Sequence, residues 1–245
     1  MPRCIFCLSD TAAFTTREHI LPESLGGGDW AILPDGFFCD TCQNRFGSSI
    51  EQQALGDYPF NLYRTFIGIP TKKGKAPWFE CWEGKITGTG VSGQVGYEPA
   101  AILAASFERG QKSVMRIVAQ PRKPEMICRA LLKMGLEVVA FHDAEKVFHG
   151  RYDEARLYAL TGRKDKKWWY LQEEDVELAS KFFSGEATAE QWGDGISLSV
   201  EEVEDGRDVF RLQLLYLTLI VPLDSYILPP SMDELPEPRY RLFSM

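Results

Sequence analysis

Four of the six cysteines form two tight pairs, Cys4-x-x-Cys7 and Cys39-x-x-Cys42. Two thiolates three positions apart on a tight turn can both reach one metal ion at about 2.3 Å, and a second such turn completes a tetrahedron. Disulfides are the weaker interpretation, because the N-terminus has no apolar segment typical of a secretory signal. The spacing therefore predicts a structural Zn²⁺ site, and the other two cysteines are expected to be small buried residues.

A polar motif lies between the two cysteine pairs. Glu18 and His19 are adjacent, so their side chains diverge on an extended chain. A carboxylate suits a hard divalent cation, and an imidazole suits proton transfer near neutral pH. Pro22 and three following glycines predict a loop, and apolar residues at near-helical spacing predict a helix from about Thr41. We therefore expect a hairpin and then a helix, joined at their ends by zinc.

Residues 4 to about 55 resemble an HNH endonuclease of the four-cysteine type. The shared pattern is the first cysteine pair, then Glu-His-Ile-x-Pro-x-Ser-x-Gly-Gly from Glu18, then a second pair that opens a helix containing Phe46-Gly47. The resemblance covers about a quarter of the chain and implies a ββα-metal fold. It implies that His19 is the general base, that Glu18 binds a catalytic Mg²⁺ or Mn²⁺, and that the zinc is structural.

The sequence departs from this family at the second ligand of the catalytic cation. The family usually has Asn directly after the last cysteine, whereas this chain has Gln43 followed by Asn44. Both side chains carry an amide oxygen, but one residue turns a helix by about 100°, so they cannot face one ion equally well. Either Gln43 or Asn44 is therefore the expected second ligand.

The balance of charge bears on the partner. The chain has 27 Lys and Arg against 35 Asp and Glu, a net charge of -8, which argues mildly against a nucleic acid. Basic residues are nevertheless concentrated between residues 101 and 133, and an arginine beside the motif suits bidentate contact with phosphate. With DNA as the expected partner, the candidate contact residues are Arg17, Arg45, Arg109, Lys112, Arg116, Arg122 and Lys123.

The whole chain is predicted to be α+β. We expect an HNH nuclease domain at 1–65, a linker at 66–77, and a larger α+β domain at 78–245 that recognises a target or a protein partner. In the larger domain, Pro124 is expected to begin a helix, and Tyr152 to Leu160 forms another that resembles a helix following the nuclease core in related proteins. No stretch is long and apolar enough for a membrane span, and a cytoplasmic location is expected.

The favoured hypothesis is a metal-dependent endonuclease that hydrolyses phosphodiester bonds in DNA by a single-metal mechanism. The alternative is a zinc-containing module that binds a nucleic acid or a protein partner and has lost cleavage. Proteins that combine such a nuclease with a second domain serve in restriction and phage defence, which is one expected setting. The sequence leaves the oligomeric state open.

Overall fold

The structure is a computed structural model that describes residues 2–71, 73–108, 119–163, 167–184, 186, 195–203, 206–224, 227–231 and 240–245. Helices and strands both occur throughout, which confirms the predicted α+β class. None of the described helices combines the length and apolar character that crossing a membrane requires.

The helices are α1 (Asp40–Phe46), α2 (Gln52–Leu55), α3 (Phe60–Ile67), α4 (Ala101–Glu108), α5 (Pro124–His142), α6 (Asp153–Thr161) and α7 (Val176–Ser184). The strands are β1 (Glu18–His19), β2 (Ile32–Leu33), β3 (Trp78–Cys81), β4 (Gly84–Gly88), β5 (Val95–Pro99), β6 (Trp169–Glu174), β7 (Ile196–Val203), β8 (Arg207–Leu214), β9 (Leu217–Pro222) and β10 (Tyr240–Ser244).

The chain forms two compact units. The first contains Met1–Glu23, Gly27–Ala54 and Lys123–Met245, and the second contains Ser24–Gly26 and Leu55–Arg122. The domain boundaries predicted at residues 65 and 78 do not coincide with this division. The predicted linker lies inside the second unit, and the C-terminal half shares a unit with both cysteine pairs, because side chains of α5 and α6 bind the N-terminal segment directly.

The first unit contains the predicted hairpin and helix. In the hairpin, β1 and β2 are antiparallel, with Glu18 opposite Leu33 and His19 opposite Ile32. Helix α1 begins at Asp40, between the two cysteines of the second pair, and continues through a π-helical segment, Gly47–Glu51, into α2. The loop after the motif needs glycine at position 27, because a Cβ atom there would lie 1.8 Å from the Leu21 carbonyl oxygen.

The C-terminal part of the first unit is an antiparallel sheet packed against α5. The strand order is β10-β6-β9-β8-β7. Helix and sheet approach closely at Gly135, where an added Cβ would lie 2.7 Å from Leu223 and 2.8 Å from Phe210. This packing fixes α5, whose residues from Ile127 to Ala140 are all buried, and therefore fixes any side chain that α5 directs toward the hairpin.

The second unit is smaller. It contains the antiparallel sheet β3-β4-β5, on which α3 packs, and also α4. Helix α3 ends at Gly68, which adopts a positive φ of 71° and closes the last turn through its backbone N–H.

The structure agrees with some of the predicted helices and strands and differs from others. Helix α5 begins at Pro124 and α6 occupies the segment predicted from Tyr152 to Leu160. The apolar pattern also predicts a hairpin in which 196–203 pairs with a run from 209 to 221. That run is instead two antiparallel strands, because the chain turns at Leu215, a residue with a φ of 55°. A further strand predicted by the pattern at 113–119 falls, except for its last residue, outside the described residues.

Candidate active site and metal centre

The four predicted zinc ligands come together. The sulfur atoms of Cys4, Cys7, Cys39 and Cys42 all lie within 4.8 Å of one another, and those of Cys7 and Cys39 are 3.6 Å apart. A Zn²⁺ ion bound tetrahedrally at about 2.3 Å needs sulfur atoms about 3.8 Å apart. We call these residues the four-cysteine cluster, and its donor set and spacing are compatible with a zinc site.

Backbone contacts explain how the two pairs meet. The Ile5 N–H donates to the Phe37 carbonyl at 2.9 Å, so the first pair lies alongside the segment that enters the second. The second pair is anchored through Asp40, whose carboxylate accepts hydrogen bonds from the backbone and hydroxyl groups of Thr15 and Thr16. The cluster therefore results from local chain geometry over the first 42 residues.

The thiols influence one another strongly. The Cys42 thiol donates to the Cys4 sulfur, which lowers the pKa of Cys4 to about 5. The same hydrogen bond raises the pKa of Cys42, and burial raises the pKa of Cys39 to about 11. Without a cation the cluster thus favours one thiolate, and only a bound metal ion makes several ionised sulfur atoms stable at this separation.

Three aromatic rings lie beneath the cysteine pairs. The ring centroid of Phe6 lies 5.0 Å from that of Phe38 and 4.6 Å from that of Phe46, and all three side chains are buried. The rings form a small apolar core next to the four-cysteine cluster. Cys81 and Cys128 are not members of the cluster. Cys128 is buried, as expected, whereas Cys81 is only half-buried.

The two carboxyl oxygens of Glu18 have different partners. Glu18 is buried on β1, and its Oε2 accepts a hydrogen bond of 2.8 Å from the Gln43 side-chain amide. The same amide donates to the Arg17 carbonyl at 2.9 Å. Asn44, one residue further along α1, is exposed, and its carbonyl accepts from Ser48. Of the two candidates for second ligand, the structure therefore places Gln43 beside Glu18.

His19 lies next to this pair. Its Nε2 is 3.7 Å from Glu23 Oε1, and the side chain is 23% exposed. Its Nδ1 is buried and has no hydrogen-bond partner among the described residues. This ring nitrogen is therefore not held by a hydrogen bond to any described group.

A lysine from far along the chain completes the surroundings of Glu18. Lys133, on α5, places its Nζ 2.6 Å from Glu18 Oε1 and 2.8 Å from Glu51 Oε1. The same Nζ is 3.0 Å from both carboxyl oxygens of Glu137, with the hydrogen bond directed to Oε2. We call Glu18, Glu51, Lys133 and Glu137 the carboxylate–lysine cluster. None of the sequence motifs includes Lys133, Glu51 or Glu137 as a site residue.

Burial and charge act in opposite directions on this lysine. Burial opposes the charged form of Lys133, but the three carboxylates outweigh it and raise its pKa well above the usual value. Burial also raises the pKa of Glu137, and the nearby carboxylates of Glu18 and Glu51 add to that increase. Lys133 is thus a permanent buried cation, and three acidic residues share it.

A second distant residue contacts the first cysteine pair. Arg156, on α6, is buried and donates from Nε to the Ile5 carbonyl, 151 residues away along the chain. It also donates from Nη2 to the Val147 carbonyl at 2.6 Å and pairs with Asp153. In the sequence, α6 is distinguished only by its resemblance to a helix of related proteins. The contact with Ile5 shows that Arg156 anchors the turn that contains Cys4 and Cys7.

The predicted phosphate-binding residues have different surroundings. The Arg17 guanidinium pairs with Asp29 at 2.8 Å, and both side chains are exposed. Arg45 and Arg122 are exposed, and the exposed Lys123 donates to Gln53 at 2.7 Å. Arg109, Lys112 and Arg116 lie outside the described residues. The structure therefore does not assemble the predicted basic residues at one place.

Comparison with known proteins agrees with this local geometry. Residues 4–58 match the model of an HNH endonuclease family. This match and the four-cysteine cluster confirm the resemblance recognised in the sequence, and the matched segment is followed by a larger mixed α+β part. A search of curated proteins and a search of solved structures each found no match.

Proposed function

We infer that the protein is a metal-dependent endonuclease that hydrolyses phosphodiester bonds in DNA. The family match supports a nuclease-type function. The observation that carries the specific proposal is the meeting of Glu18 and Gln43 at 2.8 Å, directly beside His19. This arrangement combines a carboxylate, an amide and an imidazole within one hairpin and helix, as hydrolysis of a phosphodiester assisted by a cation requires.

Glu18 and Gln43 are the residues that would hold the catalytic cation. Carboxylate and amide oxygens are the ligands that Mg²⁺ and Mn²⁺ prefer, and the donor set therefore fits. The Gln43 amide presents its oxygen in place of its nitrogen after a half-turn of the terminal group. A bound divalent cation would supply Lewis-acid stabilisation of the phosphate and of the leaving oxygen.

His19 would act as the general base. The imidazole, whose side chain is 23% exposed, is proposed to take a proton from the attacking water. Glu23 Oε1, 3.7 Å from Nε2, restrains the orientation of the ring. Arg17 would contribute to phosphate binding by exchanging its exposed pair with Asp29 for a phosphate oxygen.

The test is cleavage of supercoiled plasmid by the full chain with Mg²⁺ or Mn²⁺. We expect nicking that stops with EDTA and returns when Mn²⁺ is added in excess. His19→Ala is expected to lose at least about 100-fold in rate, since removal of a general base typically has effects of this size. His142→Ala, at an exposed position near the end of α5, is the matched control and should keep full activity.

The outcomes separate the proposal from its alternative. Full activity of His19→Ala would remove this residue from the mechanism. No cleavage by the wild-type chain, together with a retained shift of DNA in a gel, would favour the binding module without catalysis. Cytoplasmic location, a role in restriction or phage defence and a protein partner remain predictions.

A further inference from the structure

The carboxylate–lysine cluster poses a problem of charge. An ammonium group 2.6 Å from Glu18 holds this carboxylate firmly, but alone it would also cancel the negative charge that a cation needs. Lys133 is buried on a helix that lies outside the segment matching the HNH family. A lysine in this position would therefore be expected to weaken cation binding at Glu18.

Glu51 and Glu137 resolve this conflict. Each has a carboxyl oxygen within 3.0 Å of Lys133 Nζ, so the ammonium has two other acidic partners besides Glu18. With all three carboxylates ionised, the formal charge of the cluster is −2, and with Glu137 protonated, as its raised pKa favours, it is −1. The cluster stays negative in both forms. The lysine can thus position Glu18 without neutralising it.

The geometry at Glu18 agrees with this division of roles. Lys133 engages Oε1, whereas Oε2 faces the Gln43 amide. One oxygen is therefore held from α5, and the other is directed toward the proposed second ligand on α1. These two contacts hold the Glu18 carboxylate in one orientation, with Oε2 directed away from the ammonium.

We propose that Lys133 is a positioning residue for the catalytic cation site, and that Glu51 and Glu137 offset its charge so that Glu18 remains a ligand. The proposal rests on the proposed function of Glu18. It makes the nuclease site depend on α5, and the segment matching the family is then incomplete as a cation site without the C-terminal part of the chain.

The first test removes the offsetting charges while keeping side-chain shape. In Glu51→Gln/Glu137→Gln, Lys133 has only Glu18 as an acidic partner. We expect Mn²⁺ affinity, measured by electron paramagnetic resonance with the zinc-loaded full chain, to fall about 10–100-fold, the usual effect of altering outer-shell partners. Turnover at saturating Mn²⁺ should be retained, because Glu18, Gln43 and His19 are unchanged.

A matched control removes the same net charge elsewhere. Glu177→Gln/Glu201→Gln disrupts two exposed ion pairs, with Lys181 and Arg211. Its Mn²⁺ affinity should equal that of the wild-type chain. Zinc content and thermal unfolding report whether each variant is folded. If the buried double variant does not fold, Glu51→Gln alone, at a partly exposed side chain, is expected to give a smaller loss in the same direction.

The second test separates charge from position by adding Lys133→Met to the double variant. Removing the unbalanced ammonium should recover most of the Mn²⁺ affinity, whereas turnover at saturating Mn²⁺ should fall about 10-fold or more, because Glu18 is no longer held in place. Recovery of both affinity and turnover would overturn the positioning role, and so would an unchanged affinity in the double variant.

If the wild-type chain binds no Mn²⁺ and cuts no DNA, the proposed function fails together with this inference. If the wild type does both and the variants are unaffected, only this inference fails.

Discussion

The four-cysteine cluster and the carboxylate–lysine cluster lie in the same compact unit but are assembled differently. The cysteines come from two short turns within the first 42 residues, held by neighbouring backbone hydrogen bonds. The carboxylate–lysine cluster joins β1 to the middle of α5, which are 115 residues apart. The first cluster brings together four thiols that can all ionise only around a cation, whereas the second contains its own cation. The first site therefore depends on local chain geometry and a metal ion, and the second depends on how α5 packs in the first unit.

The largest effect is expected from disrupting the four-cysteine cluster. Cys42→Ser should lose bound zinc and unfold the first unit at a much lower temperature, because structural zinc contributes on the order of 10 kcal/mol to folding. Zinc content by mass spectrometry and thermal unfolding would check this. Cys81→Ser is the control, since Cys81 lies outside the cluster, and it should keep one zinc per chain. An unchanged zinc content in Cys42→Ser would show that the ligand set is wrong.

A smaller but still large effect is expected at Lys133. Lys133→Met leaves the Glu18, Glu51 and Glu137 carboxylates without their buried cation and should lower the free energy of unfolding by about 3–5 kcal/mol. Urea unfolding measures this loss. Lys181→Met removes an exposed ion pair with Glu177 and should cost less than about 1 kcal/mol. Equal stability of the two variants would contradict the dependence of the hairpin on α5.

Single replacements on α1 test the choice between Gln43 and Asn44. Gln43→Ala should raise the Mn²⁺ concentration for half-maximal cleavage about 10-fold, because it removes the proposed second ligand. Asn44→Ala should leave this concentration unchanged, since Asn44 is exposed. A metal requirement that neither change affects would show that the second ligand lies elsewhere.

The last prediction concerns Asp208, a single carboxylate that pairs with two cations, Lys146 and Arg151. This balance of charge is the reverse of that in the carboxylate–lysine cluster. Burial raises the pKa of Asp208, but hydrogen bonds from Tyr152, Arg151 and Lys146 outweigh it and hold the pKa below its usual value. A carboxyl group with a lowered pKa in the folded state stabilises the protein above the unfolded pKa, and this contribution is lost as the pH falls through the folded value. Asp208→Asn should therefore cost about 1–3 kcal/mol at pH 7, with a smaller difference from the wild type near pH 3. Urea unfolding at both pH values measures this, and a difference that grows toward pH 3 would contradict the assignment.

The sequence predicted the parts of the site that follow from local chain geometry. Cysteine spacing predicted the four-cysteine cluster, and the order of Glu18, His19 and the glycines predicted a hairpin before a helix. The helical turn of about 100° per residue showed that Gln43 and Asn44 could not be equivalent, but it could not select between them. The sequence did not point to Lys133 because a lysine within a helix is usually on its exposed face, and a separation of 115 residues gives no indication that it meets Glu18.

The sequence by itself determined the chemistry available to this protein, namely four thiols at metal-binding spacing, an adjacent carboxylate and imidazole, and the α+β class. These features depend on contacts between near neighbours, whose separation in space is limited by their separation along the chain. Only the tertiary structure decided that Gln43 faces Glu18, that Arg156 anchors the first cysteine pair, and that Lys133 reaches Glu18. These contacts depend on how α5 and α6 pack in the first unit, and packing is decided by the fit of whole buried surfaces rather than by any short motif.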